Sequence, residues 1–216
     1  MLTVISCLVG MLAILVMSEL LGKHKILVGE YQRKFVHIPV GTFIAFWPWL
    51  MGWRTIQLIA LAILVGVLFN RRYPAVDILG GIRKESYGDF YFALIILLVS
   101  LLTTTKIFFC LAVLHMSLAD GLAAVTGNYF AGRWHYALGN QAKTLIGSMT
   151  FWLISLAIFG VGLLLVGPFV SFQTYMILLV LAPPVLTVIE NISIYGLDNL
   201  AVPLSVLLIL HFAQKL

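Results

Sequence analysis

The chain has 216 residues, of which 62% are hydrophobic and only 10% charged, with a mean hydropathy of +1.09. A soluble domain carries roughly 25% charged residues, and one core of this size cannot enclose so much apolar surface, so lipid must be the main solvent. The net charge of +5 forms no long basic tract, which argues against nucleic acid, and the two cysteines, Cys7 and Cys110, lie in apolar stretches that define neither a disulfide framework nor a thiolate metal site.

Eight apolar stretches occur in chain order: Leu2–Leu21, Phe35–Met51, Thr55–Phe69, Phe90–Thr104, Ile107–Phe130, Ser148–Val166, Tyr175–Ile194 and Leu200–Phe212. The first has no basic segment before it and is long enough to span, so it reads as a retained helix, not a cleaved signal peptide. The third, fourth and eighth are short against the ~20 residues a span needs, which leaves seven helices open beside a preferred eight. The expected fold is all-α, a polytopic transmembrane helical bundle forming a single domain over residues 1–216. Lys23, Lys25, Arg33, Lys34, Arg71, Arg72, Arg83, Lys84, Arg133 and Lys143 fall in the odd-numbered loops, against Arg54, Lys106 and Lys215 on the other side. By the positive-inside rule this places the N-terminus outside and the odd loops in the cytoplasm; the expected location is a plasma membrane.

The polar residues gather on that cytoplasmic side in five clusters. Arg33-Lys34-Phe35-Val36-His37 offers two cations and an imidazole; Arg33 and His37 share a helical face and could grip phosphate oxygens, while the plain alternative is a snorkelling anchor. Pro39 is expected to kink or restart the helix just after it. Arg83-Lys84-Glu85-Ser86-Tyr87-Gly88-Asp89 leads into the fourth helix, where Ser86 or Asp89 could cap, and Glu85 has no evident structural task. Asp120 interrupts the fifth apolar stretch. A charge there costs about 2.5–3.5 kcal/mol on insertion scales, and such residues are usually functional and face the protein interior. Ser117, Asp120, Ala123, Ala124 and Gly127 share one face, a small-residue stripe suited to close packing and bearing one carboxylate. Lys143-Thr144-Leu145-Ile146-Gly147-Ser148 precedes the sixth helix. Thr144 or Ser148 could cap it, and its free N–H groups with Gly147 and Lys143 could meet an anion. Finally, Glu190-Asn191 lies in a stretch that Pro183-Pro184 are expected to break, and Asp198-Asn199 opens the last helix. With Asp120 these supply carboxylates and an amide at one membrane level, oxygen ligands that suit Mg²⁺ carrying nucleotide phosphates.

In this order the clusters resemble the dolichol kinase, phytol kinase and CTP-dependent diacylglycerol kinase family. The matching pieces are Arg33-Lys34-Phe35-Val36-His37, Glu85-Ser86-Tyr87-Gly88, Ala119-Asp120-Gly121-Leu122-Ala123-Ala124 with Gly127, Lys143-Thr144 with Gly147-Ser148, and Glu190 with Gly196-Leu197-Asp198-Asn199-Leu200 and Pro203. The sequence departs from the family pattern at three places: one extra residue after Gly127, Ala142 for a second lysine, and Ile146 for a glutamate. The resemblance implies a membrane-embedded kinase that uses CTP and a divalent cation, Mg²⁺, to phosphorylate a lipid alcohol. Asp120 and Asp198 would hold the metal, and Asp120, Glu190 and His37 would be catalytic. Arg33, Lys34, Glu85, Gly127, Lys143, Thr144, Gly147, Ser148 and Asn199 would contact the nucleotide or its phosphates. The Asp120-to-Ser148 region also looks like phosphatidate cytidylyltransferases, which join CTP to a phosphatidate and release pyrophosphate. A small transporter is a further rival, but it predicts carboxylates spread through the bilayer depth, whereas here they crowd one side.

Overall fold

Apolar runs can satisfy their backbone in lipid only as helices or closed barrels, and the computed structural model of the chain is helical almost throughout. It describes residues 2–72, 87–130, 134–138, 141–165 and 170–215. The helices are α1 (Leu2–Lys23), α2 (Glu30–Ala45), the short α3 (Trp47–Leu50), α4 (Trp53–Arg72), α5 (Gly88–Leu102), α6 (Lys106–Leu114), α7 (Asp120–Tyr129), α8 (Leu145–Leu165), α9 (Phe172–Ile192) and α10 (Asp198–Ala213). A π-helical turn, His115–Ala119, joins α6 to α7. Among the described residues, five helical segments are long and apolar enough to cross a membrane, and α5 and α10 are shorter apolar helices. The chain is thus an all-α, polytopic integral membrane protein.

The segment Lys106–Tyr129 is the axis of the bundle, with 72% of its most apolar window buried, against 17–33% for the other long helices. Phe108, Phe109, Leu111, Val113 and Met116 along it are fully or almost fully buried. The outer faces of α1, α4, α8 and α9 carry exposed Leu, Val and Ile, as lipid contact demands. Close approach to the axis depends on small residues. A Cβ added at Gly121 would collide with the Ile38 side chain of α2, and one at Gly127 would lie 3.5 Å from the Gly147 Cα of α8.

Several expectations need correction. The stripe from Ser117 to Gly127 is not one face. Ser117 abuts Gly41 of α2, whereas Ala123 and Gly127 meet α8 at Gly147. The π turn inserts one extra residue, which rotates the downstream helix by about 100°. Pro39 does not restart the helix beside it, for α2 runs on to Ala45 and the break comes at Phe46. Likewise Pro183 and Pro184 lie inside an unbroken α9, as membrane helices tolerate where neighbouring helices and side chains re-satisfy the freed backbone groups. Asp89 is not a cap: it sits in the first turn of α5 and pairs with Arg71 of α4. Two short strands, β1 (His135–Leu138) and β2 (Gln141–Thr144), form an antiparallel hairpin that the all-helical reading did not foresee. Glu85, with Arg83, Lys84 and Ser86, lies outside the described residues.

Ile38 is β-branched and cannot easily turn away from a new methyl group. Gly121→Ala is therefore expected to lower stability by about 1–3 kcal/mol through overpacking. Adding Ile38→Ala should restore most of it, as read by thermal unfolding in detergent.

Candidate active site

The site is assembled at one end of the bundle by three distant parts of the chain. Asp120 opens α7, Glu190 lies in the last turn of α9, and Asp198 opens α10. One carboxylate oxygen of each lies within 4.8 Å of the others. Asp120 and Glu190 are almost wholly buried, at 4% and 5% exposure, and Asp198 is half-buried. Local backbone brings them there. The Asp120 N–H donates to the His115 carbonyl, closing the π turn and setting the direction in which α7 departs. Between α9 and α10 the chain reverses through Tyr195 and Gly196, at φ 55° and 84°, so Asp198 returns beside Glu190. Left-handed backbone of this kind is natural for glycine and uncommon for tyrosine. The turn is also tied to α5, where the Tyr87 N–H donates to the Tyr195 carbonyl at 3.2 Å.

Three carboxylates this close repel one another by at least about 3 kcal/mol per charged pair at an effective dielectric of about 20. Two lysines offset this. Lys34 of α2, 2% exposed, donates from Nζ to Asp120 Oδ2 at 2.5 Å. Lys143 of β2 pairs with Glu190 Oε1 and reaches the Glu190 carbonyl at 3.4 Å. Burial alone would lower the Lys143 pKa, but the Glu190 carboxylate outweighs it and holds the ammonium above its ordinary value. Among the described residues, Asp198 has no cation at ion-pair distance; its Oδ1 accepts the Asn199 N–H at 2.8 Å.

His37 stands beside the Lys34–Asp120 pair. Its Nε2–H donates to the Met116 carbonyl at 3.0 Å and lies 3.6 Å from Asp120 Oδ2, with the ring tilted against Phe92. In the neutral ring that donor leaves a lone pair on Nδ1. Arg33 points to Glu30, donating from Nε at 2.9 Å and Nη2 at 2.5 Å, and lies within electrostatic range of Asp120 and Asp198. Asn199 is 2% exposed; its Nδ2 donates to the Gly88 carbonyl at 3.0 Å, while its Oδ1 is buried without a partner among the described residues.

The remaining sequence candidates sit at the α7–α8 crossing. Thr144 Oγ1 accepts the Gly147 N–H at 3.1 Å, as a cap does, and Gly127 and Gly147 pack against each other. Ser148 Oγ donates to Asn191 Oδ1 at 2.9 Å and touches the Tyr136 hydroxyl. Tyr136 was not among the sequence candidates, and Asn191 was named in the fifth cluster without a role. The signal for the hairpin was Gly139-Asn140 between two four-residue runs.

Three converging carboxylates form an all-oxygen donor set, which fits a hard divalent cation such as Mg²⁺. Lysines beside such a group can neutralise phosphate oxygens as point charges.

Among curated proteins, the chain is 33% identical over 206 residues to Phytol kinase from Synechocystis sp., covering 91% of this chain and 85% of that one. No family model and no solved structure matches the chain.

Removing Lys34 would leave the buried Asp120 without its cation. Lys34→Met is expected to destabilise the protein by about 3–5 kcal/mol, and Lys34→Met with Asp120→Asn to recover part of that loss, both measured by thermal unfolding in detergent.

Proposed function

This chain belongs to the polyprenol and phytol kinase family, and from that premise we propose that it transfers the γ-phosphoryl group of CTP, or of another nucleoside triphosphate, to the hydroxyl of a membrane lipid alcohol at the cytoplasmic face. The observation that carries this reading is the convergence of Asp120, Glu190 and Asp198 between two lysines. Phosphoryl transfer asks a protein for positioning and charge neutralisation more than for covalent chemistry, and this is what such a cluster provides.

Asp120 and Asp198 would hold Mg²⁺, with Glu190 and Asn199 as further oxygen donors. When bound, the ion neutralises and orients the triphosphate. Lys34, Lys143 and Arg33 offset charge on the phosphate oxygens, and the start of α8 with Thr144, Gly147 and Ser148 borders the nucleotide. The acceptor hydroxyl oxygen forms a bond to the γ-phosphorus as the bond from that phosphorus to the β–γ bridging oxygen breaks, releasing the nucleoside diphosphate. The hydroxyl proton passes to Nδ1 of His37 or to Glu190, whichever lies within reach of the bound alcohol. The lipid tail remains among the apolar helices, so only its hydroxyl comes to the polar end. Phytol and related prenols are the first acceptors to test, given the relative; longer polyprenols and diacylglycerol share the required hydroxyl.

Purified protein supplied with γ-labelled CTP and phytol, a polyprenol or diacylglycerol is expected to label the lipid. Label released as pyrophosphate would instead mark a cytidylyltransferase, and solute flux in proteoliposomes without nucleotide turnover a transporter; either result overturns the reading. Asp120→Asn should lower transfer at least about a hundredfold, the scale on which loss of one electrostatic contact acts, with the protein still eluting as a folded species. Full turnover would refute the role given to Asp120.

A further inference from the structure

The hairpin holds a residue that the proposed transfer does not use. Tyr136 and Lys143 are directly opposed in the β1–β2 register, so their side chains leave the same face of the sheet. Both reach the last turn of α9, at successive residues. Lys143 pairs with Glu190, and the Tyr136 hydroxyl donates to Asn191 Oδ1 at 2.8 Å. Ser148 of α8 lies 2.9 Å from the same oxygen and is hydrogen-bonded to the Tyr136 hydroxyl, so the three side chains form one hydrogen-bonded cluster. One phenol thereby joins the hairpin to α8 and α9 beside the carboxylate that Lys143 must meet. Packing alone would need only the ring; the paired hydrogen bonds use the hydroxyl. Lysine is flexible over four carbons, and a two-stranded hairpin is marginally stable alone, so the placement of Lys143 depends on what anchors its strand.

We propose that Tyr136 is a positioning residue: through Asn191 it clamps the hairpin to the end of α9 and so fixes the Lys143 ammonium at Glu190 and at the nucleotide phosphates. The part concerning phosphates rests on the kinase reading; the part concerning Lys143 does not. The test uses Tyr136→Phe, which removes only the hydroxyl, with Asn191→Leu as the matching loss of the acceptor, both in the full chain. Reaction of Lys143 with an amine-selective reagent, followed by mass spectrometry, is expected to rise several-fold in both variants while that of Lys34 stays as in the parent. In the transfer assay the nucleotide KM should rise about tenfold, the lower end for residues that orient a functional group, with the lipid KM unchanged. In a Lys143→Met background, Tyr136→Phe should cost nothing further. Unchanged Lys143 labelling in a folded Tyr136→Phe protein overturns the proposal, as does a full multiplicative loss in the Lys143→Met background. Should the parent transfer no phosphate, the labelling comparison still decides for Tyr136 while the kinase reading fails on its own.

Discussion

Concentrating negative charge inside an apolar bundle is the constraint to which the rest of this structure answers. Asp120, Glu190 and Asp198 meet within 4.8 Å, in a protein whose core is mostly apolar. A lone charge in such surroundings is expensive, and breaking a buried pair by removing one partner leaves an uncompensated charge. Lys34 and Lys143 therefore form part of the fold as well as of the site. Each carboxylate–lysine pair joins elements far apart in sequence: Lys34 and Asp120 are 86 residues apart, Lys143 and Glu190 are 47. Packing has to hold these partners together, and the small residues at the helix crossings serve that need. Gly121 lets α2 approach α7 closely enough for Lys34 to reach its carboxylate, and Gly127 with Gly147 lets α8 lie against α7.

The two lysines reach the site by different routes, and their environments differ accordingly. Lys34 extends from a helix and is nearly sealed, with only 3% of its side chain exposed; Lys143 comes from a hairpin, with 19% of its side chain exposed. A cation held on a rigid helix is set by helix packing. One held on a short hairpin needs additional contacts, and the Tyr136–Asn191–Ser148 hydrogen bonds supply them. On the axial helix the π turn plays a comparable part. It is braced by His115, whose Nδ1–H donates to the Leu111 carbonyl at 2.7 Å and whose Nε2 accepts from Ser155 of α8 at 3.0 Å. π-helical turns of this sort are often found at functional sites. Here it stands one residue before Asp120.

Much of the site could be read from one chain because insertion into lipid makes polar residues conspicuous. Asp120 and Glu190 stood out as charges within apolar runs, and Lys34 and His37 as polar groups where a run begins. Their type and level in the bilayer already predicted a common cluster. Which group meets which was hidden. Arg33 turned to Glu30, three residues away, as helical spacing permits, while its neighbour Lys34 took the buried carboxylate. Glu190, which the resemblance implies to be catalytic, lies with its carboxylate beside those of Asp120 and Asp198.

The amino-acid sequence by itself determined the solvent, the helical class and the family, because hydropathy, run length and motif order are local or additive properties of the chain. Tertiary structure alone decided the rest. Proline inside α2 and α9 did not break the helix, since neighbouring segments compensate for what a lone helix loses. The small-residue stripe divided between α2 and α8, since a single π turn changed its phase. The lysine opposite Tyr136 found Glu190, since strand register and helix packing fix that geometry together and neither is written in the spacing of residues along one segment.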